Sequence, residues 1–377
     1  MTKRRAKKET VPKLSLEHLK RLTDDTGLFQ HAKYITPLRQ EGYTTDDNAR
    51  ALTAATLYYA YRPQREALRL IDIYLAFVLH AQDSDGTVRN FMNFDRTWVE
   101  NEPAHDALGR ALWALGTVIA KPPAPAYLSA AKDVFDLSVE HVPNQSPRGM
   151  AYSILGLSEY LKQFPQNESV REKLKLAAEK TAERYDQNSS ADWQWFEDKL
   201  TYDNAVLPHA LFVAGSVLDN KQYLKVAKIT CEFLLEKTFT GGEIFTAEHA
   251  ETAEKNHKIN SANSAASAVK SGHFSFIGCN GWYKKGKTRA QFDQQPIEAA
   301  GTVMMLHAAC QATGDNRFKK LQQKAFNWFL GKNDLGVPLY DSATKGCCDG
   351  LGPDGINLNQ GAESTLSFLL SRLTMRK

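Results

Sequence analysis

Several features are scarce in this chain, and each scarcity narrows what the protein is. No run of roughly 18 apolar residues occurs, so no transmembrane helix is expected. The basic start is followed by Val11-Pro12-Lys13-Leu14, too short and too polar for the core of a secretion signal. Cysteine is rare, with five in 377 residues at positions 231, 279, 310, 347 and 348. An odd, scattered set excludes a disulfide framework and suits a reducing compartment, so a cytoplasmic location is expected. On that reading the sequons at Asn167 and Asn188 carry no glycan. No G-x-G-x-x-G opens a helix after a strand, and neither a phosphate-binding P-loop nor a G-x-S-x-G elbow occurs. Cys347-Cys348-Asp349 lacks a His/Cys pair at ligand spacing, and Asp83-Ser84-Asp85-Gly86 is too short for a calcium loop. No metal and no cofactor are expected.

A basic folded surface is also missing. The formal charge is +4, but residues 1–9 alone hold Lys3, Arg4, Arg5, Lys7 and Lys8 against Glu9, leaving the remainder neutral. A nucleic-acid binder carries its excess on the folded domain, so no nucleic-acid partner is expected. Residues 1–13 read as a disordered, solubilising tail. The chain as a whole has ordinary globular composition, 42% apolar and 24% charged, and reads as one domain over 14–377. No signal for a particular oligomeric state occurs.

What is abundant is helical periodicity, arranged in couplets. Helices are expected over 49–61 and 65–80, 105–120 and 125–140, 148–162 and 167–185, 203–216 and 220–237, and 296–311 and 315–331. A last helix is expected over 361–374, and a first over Leu14 to Leu22. The first member of each couplet is the more apolar, as in Ala111-Leu112-Trp113-Ala114-Leu115-Gly116, with Gly and Ala where helices approach closely. The second is amphipathic, with Lys and Glu on one face, as in Arg171-Glu172-Lys173-Leu174-Lys175. Six apolar inner helices and six amphipathic outer ones describe an all-α (α/α)6 toroid. The irregular spacing of the inner helices argues against a solenoid of fixed period. Strand signals are confined to rim loops, at 87–92 and in a large insertion over 238–295, where Phe274–Ile277 reads as extended. That insertion is expected to narrow the pocket and favour short substrates or chain ends.

Polar residues gather just before the inner helices. In a ring these segments converge on one mouth, rich in Asp, Glu, Asn, Gln, Arg, Tyr and Trp. That composition suits sugars, whose hydroxyls need paired donors and acceptors and whose ring faces stack on aromatics. Glycoside hydrolysis further needs two carboxyls flanking the bond. Asp46, Asp47 and Asp203 each have a plainer reading as helix caps, but one cap needs only one of Asp46 and Asp47. Glu298 has a plainer reading as a dipole partner in a first turn.

The catalytic pair expected from position is Glu363 as general acid and Asp203 as the carboxylate that activates water or stabilises developing positive charge, with Asp47 the first reserve. Arg148, Asn204 and Gln295 are expected to hold hydroxyls. Trp195 and Trp282, with Trp98 and Trp193, are loop tryptophans expected to stack on sugar rings. Asp46, Glu102, His105, Asp198, Tyr202, Asp293 and Glu298 complete the expected substrate-binding set.

The segments Glu41-Gly42-Tyr43-Thr44-Thr45-Asp46-Asp47-Asn48-Ala49-Arg50, Trp195-Phe196-Glu197-Asp198-Lys199-Leu200-Thr201-Tyr202-Asp203-Asn204 and Gly361-Ala362-Glu363-Ser364-Thr365 resemble the six-hairpin glycosidase-like superfamily. More narrowly, they resemble its bacterial members associated with glycosyltransferases and mannoside phosphorylases. The resemblance spans about residues 24 to 370. It implies the (α/α)6 barrel and a carbohydrate substrate, while the superfamily holds hydrolases, lyases, phosphorylases and epimerases alike. The expected activity is hydrolysis of an oligosaccharide containing mannose or glucose, by two carboxylates. The alternatives are a sugar epimerase or lyase, and a carbohydrate-binding or scaffold protein without catalysis. An epimerase calls for paired histidines, and only His105 and His209 lie near the expected mouth.

Overall fold

The structure, a computed structural model, describes residues 11–99, 104–241 and 272–376. Among these, the inner helices are α2 (Thr45–Tyr61), α4 (His105–Ala120), α6 (Pro147–Gln163), α8 (Val206–Val217), α10 (Pro296–Thr313) and α12 (Ala362–Thr374). Each packs on the next, and α12 closes the ring on α2. The outer helices are α3 (Arg65–Ala81), α5 (Pro125–Ser138), α7 (Glu168–Asn188), α9 (Lys221–Thr238) and α11 (Asn316–Asn327), each against the inner helix that precedes it. The sixth outer position is taken by α1 (Glu17–Arg21), which packs on α12. It is shorter than the 14–22 expected. No described helix is long and apolar enough to cross a membrane.

The amphipathic and apolar members separate for a physical reason. An inner helix has outer helices behind it and inner neighbours on both sides, so nearly its whole girth is dry. Residues 147–163 of α6 include buried Met150, Ala151, Tyr152, Ile154, Leu155 and Leu157. The closest approach lies between α4 and α6, where a methyl group on Gly109 would sit 2.2 Å from the Gly149 carbonyl oxygen. One on Gly116 would sit 2.2 Å from that of Gly156. This pairing of 109 with 149 and 116 with 156 also fixes the two helices as parallel, with their N-termini on the same rim.

Local rules set the helix ends. Thr44 caps α2, its hydroxyl accepting from the Asp47 amide at 3.1 Å, so neither Asp46 nor Asp47 is spent as the cap. Helix α8 starts at Val206 rather than 203 because Asp203 adopts φ +40°, outside the helical region. Helix α11 stops at Asn327, before a turn that ends at Gly331 with φ +94°.

Short antiparallel pairs line the rim. Tyr43–Thr44 pairs with Phe91–Met92, Lys199–Leu200 with Tyr283–Lys284, and Phe239–Thr240 with His273–Phe274. A hairpin of Gly350–Gly352 with Gly355–Asn357 was not expected from the sequence. Residues 1–10 of the expected tail and 242–271 of the insertion lie outside the described residues. Pro12 is tied to α12, its carbonyl accepting from Arg372 Nε at 2.8 Å.

Candidate functional site

The mouth of the ring holds a cavity of about 610 Å³. Its walls come from the N-terminal ends of α2 (Asp46, Asp47, Arg50), α4 (His105, Asp106, Arg110) and α12 (Glu363, Ser364), with Tyr202 before α8 and Gln295 before α10. Gln30, His31, Asn90, Phe91 and Asp349 complete them from the loops.

Two buried arginines organise the carboxylates. Arg50, 5% exposed, is ion-paired through one terminal nitrogen with Asp46 and with Asp47 at 3.3 Å. Its other terminal nitrogen binds Glu363 at 3.0 Å. Arg110, 4% exposed, pairs with Asp46, donates to the Tyr152 hydroxyl at 2.6 Å, and lies 3.5 Å from Asp203. Tyr152 in turn donates to Asp203 Oδ2 at 2.5 Å. Charges removed from water persist only when paired, and here the pairing joins three inner helices.

The same network separates two adjacent aspartates. Burial alone raises both carboxyls. At Asp46 the two arginines outweigh burial and hold the group below its ordinary range. At Asp47 burial prevails over Arg50, with Asp46 and Glu363 adding repulsion, and the carboxyl is pushed up to about 6. Thr44 donates to Asp47 Oδ2 at 2.8 Å and fixes its orientation. Glu363, with 38% of its side chain exposed, faces Asp47 across the Arg50 guanidinium.

A second pair of carboxyls lies deeper. Asp203 is 3% exposed and does not line the cavity, and its carboxylate is held by Tyr152 and Arg110. Gly301 makes room for it, as a methyl group there would lie 2.4 Å from Asp203 Oδ1. Burial raises its carboxyl against the pull of Arg110. Glu298 accepts from Asn204 Nδ2 at 3.0 Å, and burial followed by repulsion from Asp203 pushes it up to about 8. Asp203 Oδ1 and Glu298 Oε1 are both buried without a hydrogen-bond partner among the described residues. Between its ordinary value of about 4.5 and about 8, Glu298 thus holds a proton in the folded chain that it releases on unfolding. The folded state binds more protons there, so this group's contribution to stability is fully present below the lower value and is lost as pH rises through the upper one. Urea unfolding of Glu298→Gln should therefore show a gain relative to wild type that grows from pH 5 to pH 9. A constant difference across that range would contradict the assignment.

Several expected binding residues sit elsewhere. Trp195 is fully buried and Trp193 nearly so, packed against Phe233 at centroid distances of 6.1 and 5.2 Å. Both are core, and neither is free to stack on a sugar. Trp98 packs on Phe77 under the Arg89 guanidinium, and Trp282 does not line the cavity. Arg148 is a buried clamp on the loop before α8. It binds Glu197 at 2.9 Å, Thr201 Oγ1 at 2.9 Å and the Tyr202 carbonyl at 2.5 Å, so it positions Tyr202 rather than touching the cavity. Asn204 is fully buried between Glu298 and Thr201. Asp198 is exposed and away from the cavity, and Asp293 lines a neighbouring one. Glu102 lies outside the described residues. Asp46, Asp47, His105, Tyr202, Gln295 and Glu363 do converge.

The sequence reading missed Arg50 and Arg110 as site residues, although a signal existed. The first two inner helices share Asp-x-x-x-Arg, at 46/50 and 106/110, and an arginine four residues into an apolar inner helix needs a partner. It also missed the aromatic at the mouth, Phe91, and the carboxylate Asp349. Asp349 accepts from the Gly361 amide at 2.8 Å and from Ser364 at 2.5 Å, and burial still raises its carboxyl.

No family model and no curated protein matches this chain. Solved structures do. A cellobiose 2-epimerase from Bacillus thermoamylovorans superposes with a TM-score of 0.68 at 10% identity, covering 97% of this chain and 96% of that one. A sugar epimerase from a ruminal bacterium gives 0.67 at 12%, covering 96% and 95%. A family 76 α-mannanase from Bacteroides thetaiotaomicron gives 0.62 at 13%, covering 95% and 93%. The fold is the six-hairpin (α/α)6 toroid. At these identities the likeness is one of fold, and the six-hairpin ring expected from the sequence is the one observed.

Proposed function

We propose that this six-hairpin protein is a carbohydrate-active enzyme, and that it hydrolyses a glycosidic bond with Asp47 and Glu363 as its two carboxyls. The observation that carries the reading is their placement on the two terminal nitrogens of one buried guanidinium, Arg50, at the floor of a polar cavity. The shared guanidinium keeps their facing oxygens within the span, up to about 9.5 Å, over which two carboxyls flank one glycosidic bond. Asp47, raised to about 6, suits the general acid, which must carry a proton near neutral pH. Its proton passes to the leaving-group oxygen as the bond from that oxygen to the anomeric carbon breaks. Glu363 then activates the water, or takes the anomeric carbon first and yields it to water. This differs from the pair expected from sequence position, where Glu363 was the acid and Asp203 its partner: Asp47, the first reserve, takes the acid role and Glu363 the other. Hydroxyl recognition falls to Asp106, Gln295, Asp349 and the loop side chains Gln30 and Asn90.

One observation favours a second reading. His31 and His105 both line the cavity, which supplies the paired imidazoles that an epimerase or isomerase needs to move a proton at the carbon beside a sugar carbonyl. The solved structures of like fold include proteins of both kinds. Incubating the protein with manno- and gluco-oligosaccharides in D₂O and following proton NMR separates them. Hydrolysis gives new reducing ends. Epimerisation gives deuterium at C2 of the existing reducing end without cleavage. Neither change across the panel would overturn the enzyme reading and leave the binding or scaffold alternative.

A further inference from the structure

A second cavity, of about 410 Å³, opens beside the first. Gln295 and Asp349 line both, so the two chambers adjoin at these two side chains. The second is walled by the end of the insertion, at Cys279 and Asp293, and by the turn of the 350–357 hairpin. Neither wall belongs to the helical ring. The end of the insertion, with the hairpin, builds a further compartment leading away from Asp47 and Glu363.

The compartment is furnished for hydroxyl groups. The Asp293 carboxylate takes no hydrogen bond among the described residues, and its backbone is held at φ +60°, a conformation that non-glycine residues adopt sparingly and that aims the side chain. The Cys279 amide donates to the Asp293 carbonyl at 3.0 Å and Gly278 lies beneath the neighbouring Phe292 carbonyl, so this strained position is tied down. Asp349 spends Oδ1 on Gly361 and Ser364, while Oδ2 takes no hydrogen bond among the described residues. Asp293 and Asp349, with Asp354 at the exposed hairpin turn, set carboxylate acceptors in a chamber that also has apolar lining such as half-buried Ile356, and this mixture fits a pyranose ring better than an apolar or anionic ligand.

We infer that the substrate is an oligosaccharide longer than a disaccharide, whose glycosyl units beyond those at Asp47 and Glu363 occupy the second chamber, with Asp293 and Asp349 accepting their hydroxyl hydrogens. This rests on the carbohydrate reading of the first chamber and adds the chain length and the residues that read it. A monosaccharide or a disaccharide leaves the second chamber empty.

The test uses the full chain with manno- and gluco-oligosaccharide ladders of two to six units, read by kcat/KM and by calorimetric binding. On the ladder that binds, kcat/KM or affinity is expected to rise at least ~10-fold from the disaccharide to the tetrasaccharide, the gain from one or two hydrogen bonds to charged acceptors. Asp293→Ala is expected to cut that ratio by a similar factor. Gly352→Leu is a second variant. A methyl group at Gly352 would lie 3.6 Å from Asp293 Oδ1, so a leucine there reaches into the chamber without a left-handed backbone being required. It should flatten the ladder too. A flat ladder in the wild type, with turnover or binding present, overturns the inference and leaves the carbohydrate reading intact. No binding and no turnover on either ladder overturns both.

Discussion

Asp47→Asn and Glu363→Gln should each lower kcat at least ~10²-fold on a substrate that the wild type turns over, the lower end for a positioned proton-transfer group. Both substitutions keep shape and remove only the ionisable function. Asp47 is buried, with Thr44 donating to Oδ2 and Arg50 3.3 Å from Oδ1, so the asparagine keeps one acceptor there and loses the charge. The pH profile carries the sharper evidence. With Asp47 the acid, wild-type kcat/KM falls as pH rises through about 6, because the proton to be donated is lost. In Asp47→Asn this limb should vanish. Full turnover in Asp47→Asn with loss in Asp203→Asn instead would restore the pair expected from sequence position and remove Asp47.

Arg110→Met should lower the free energy of unfolding by about 3–5 kcal/mol, the loss seen when one partner of a buried ion pair is removed and the other charge stays behind. The methionine replaces the apolar stem but strands Asp203 and leaves Asp46 to Arg50 alone. It also removes the donor to Tyr152, whose hydroxyl orients Asp203. Burial already raises the Asp203 carboxyl, and protonation relieves a stranded carboxylate, so the loss should be smaller at pH 5 than at pH 8. Urea unfolding followed by tryptophan fluorescence at both pH values measures it. A loss under about 1 kcal/mol would mean that water replaces the arginine and that the network is not the dry one described.

The couplets were legible because dryness acts on local sequence. An inner helix enclosed on nearly every side must be apolar almost all round, and an outer one needs a single apolar stripe. That contrast is present in any stretch of α4 against α7. The convergence of Asp46, Asp47, His105, Tyr202, Gln295 and Glu363 was legible for the same reason, since parallel inner helices in a ring must start on one rim. The loop tryptophans were not. Trp193 and Trp195 read as rim aromatics, yet their burial depends on Phe233 of α9 and on residue 283 returning from the insertion. A loop that folds back onto an outer helix has the same composition as one that faces the mouth.

By itself, then, the sequence determined the six-hairpin ring, its inner and outer order, and the rim on which polar side chains gather, because helix periodicity and apolar girth are properties of short segments. Only the tertiary structure decided which carboxyls face the cavity and which lie sealed beneath it. Asp47 and Asp203 each precede or begin an inner helix and look alike in the chain. What parts them is the placement of Arg50 and Arg110, whose guanidiniums reach carboxylates up to 313 positions away in the chain. The electrostatics of a buried carboxyl depends on what the fold sets within a few ångströms of it, and that neighbourhood comes from distant segments.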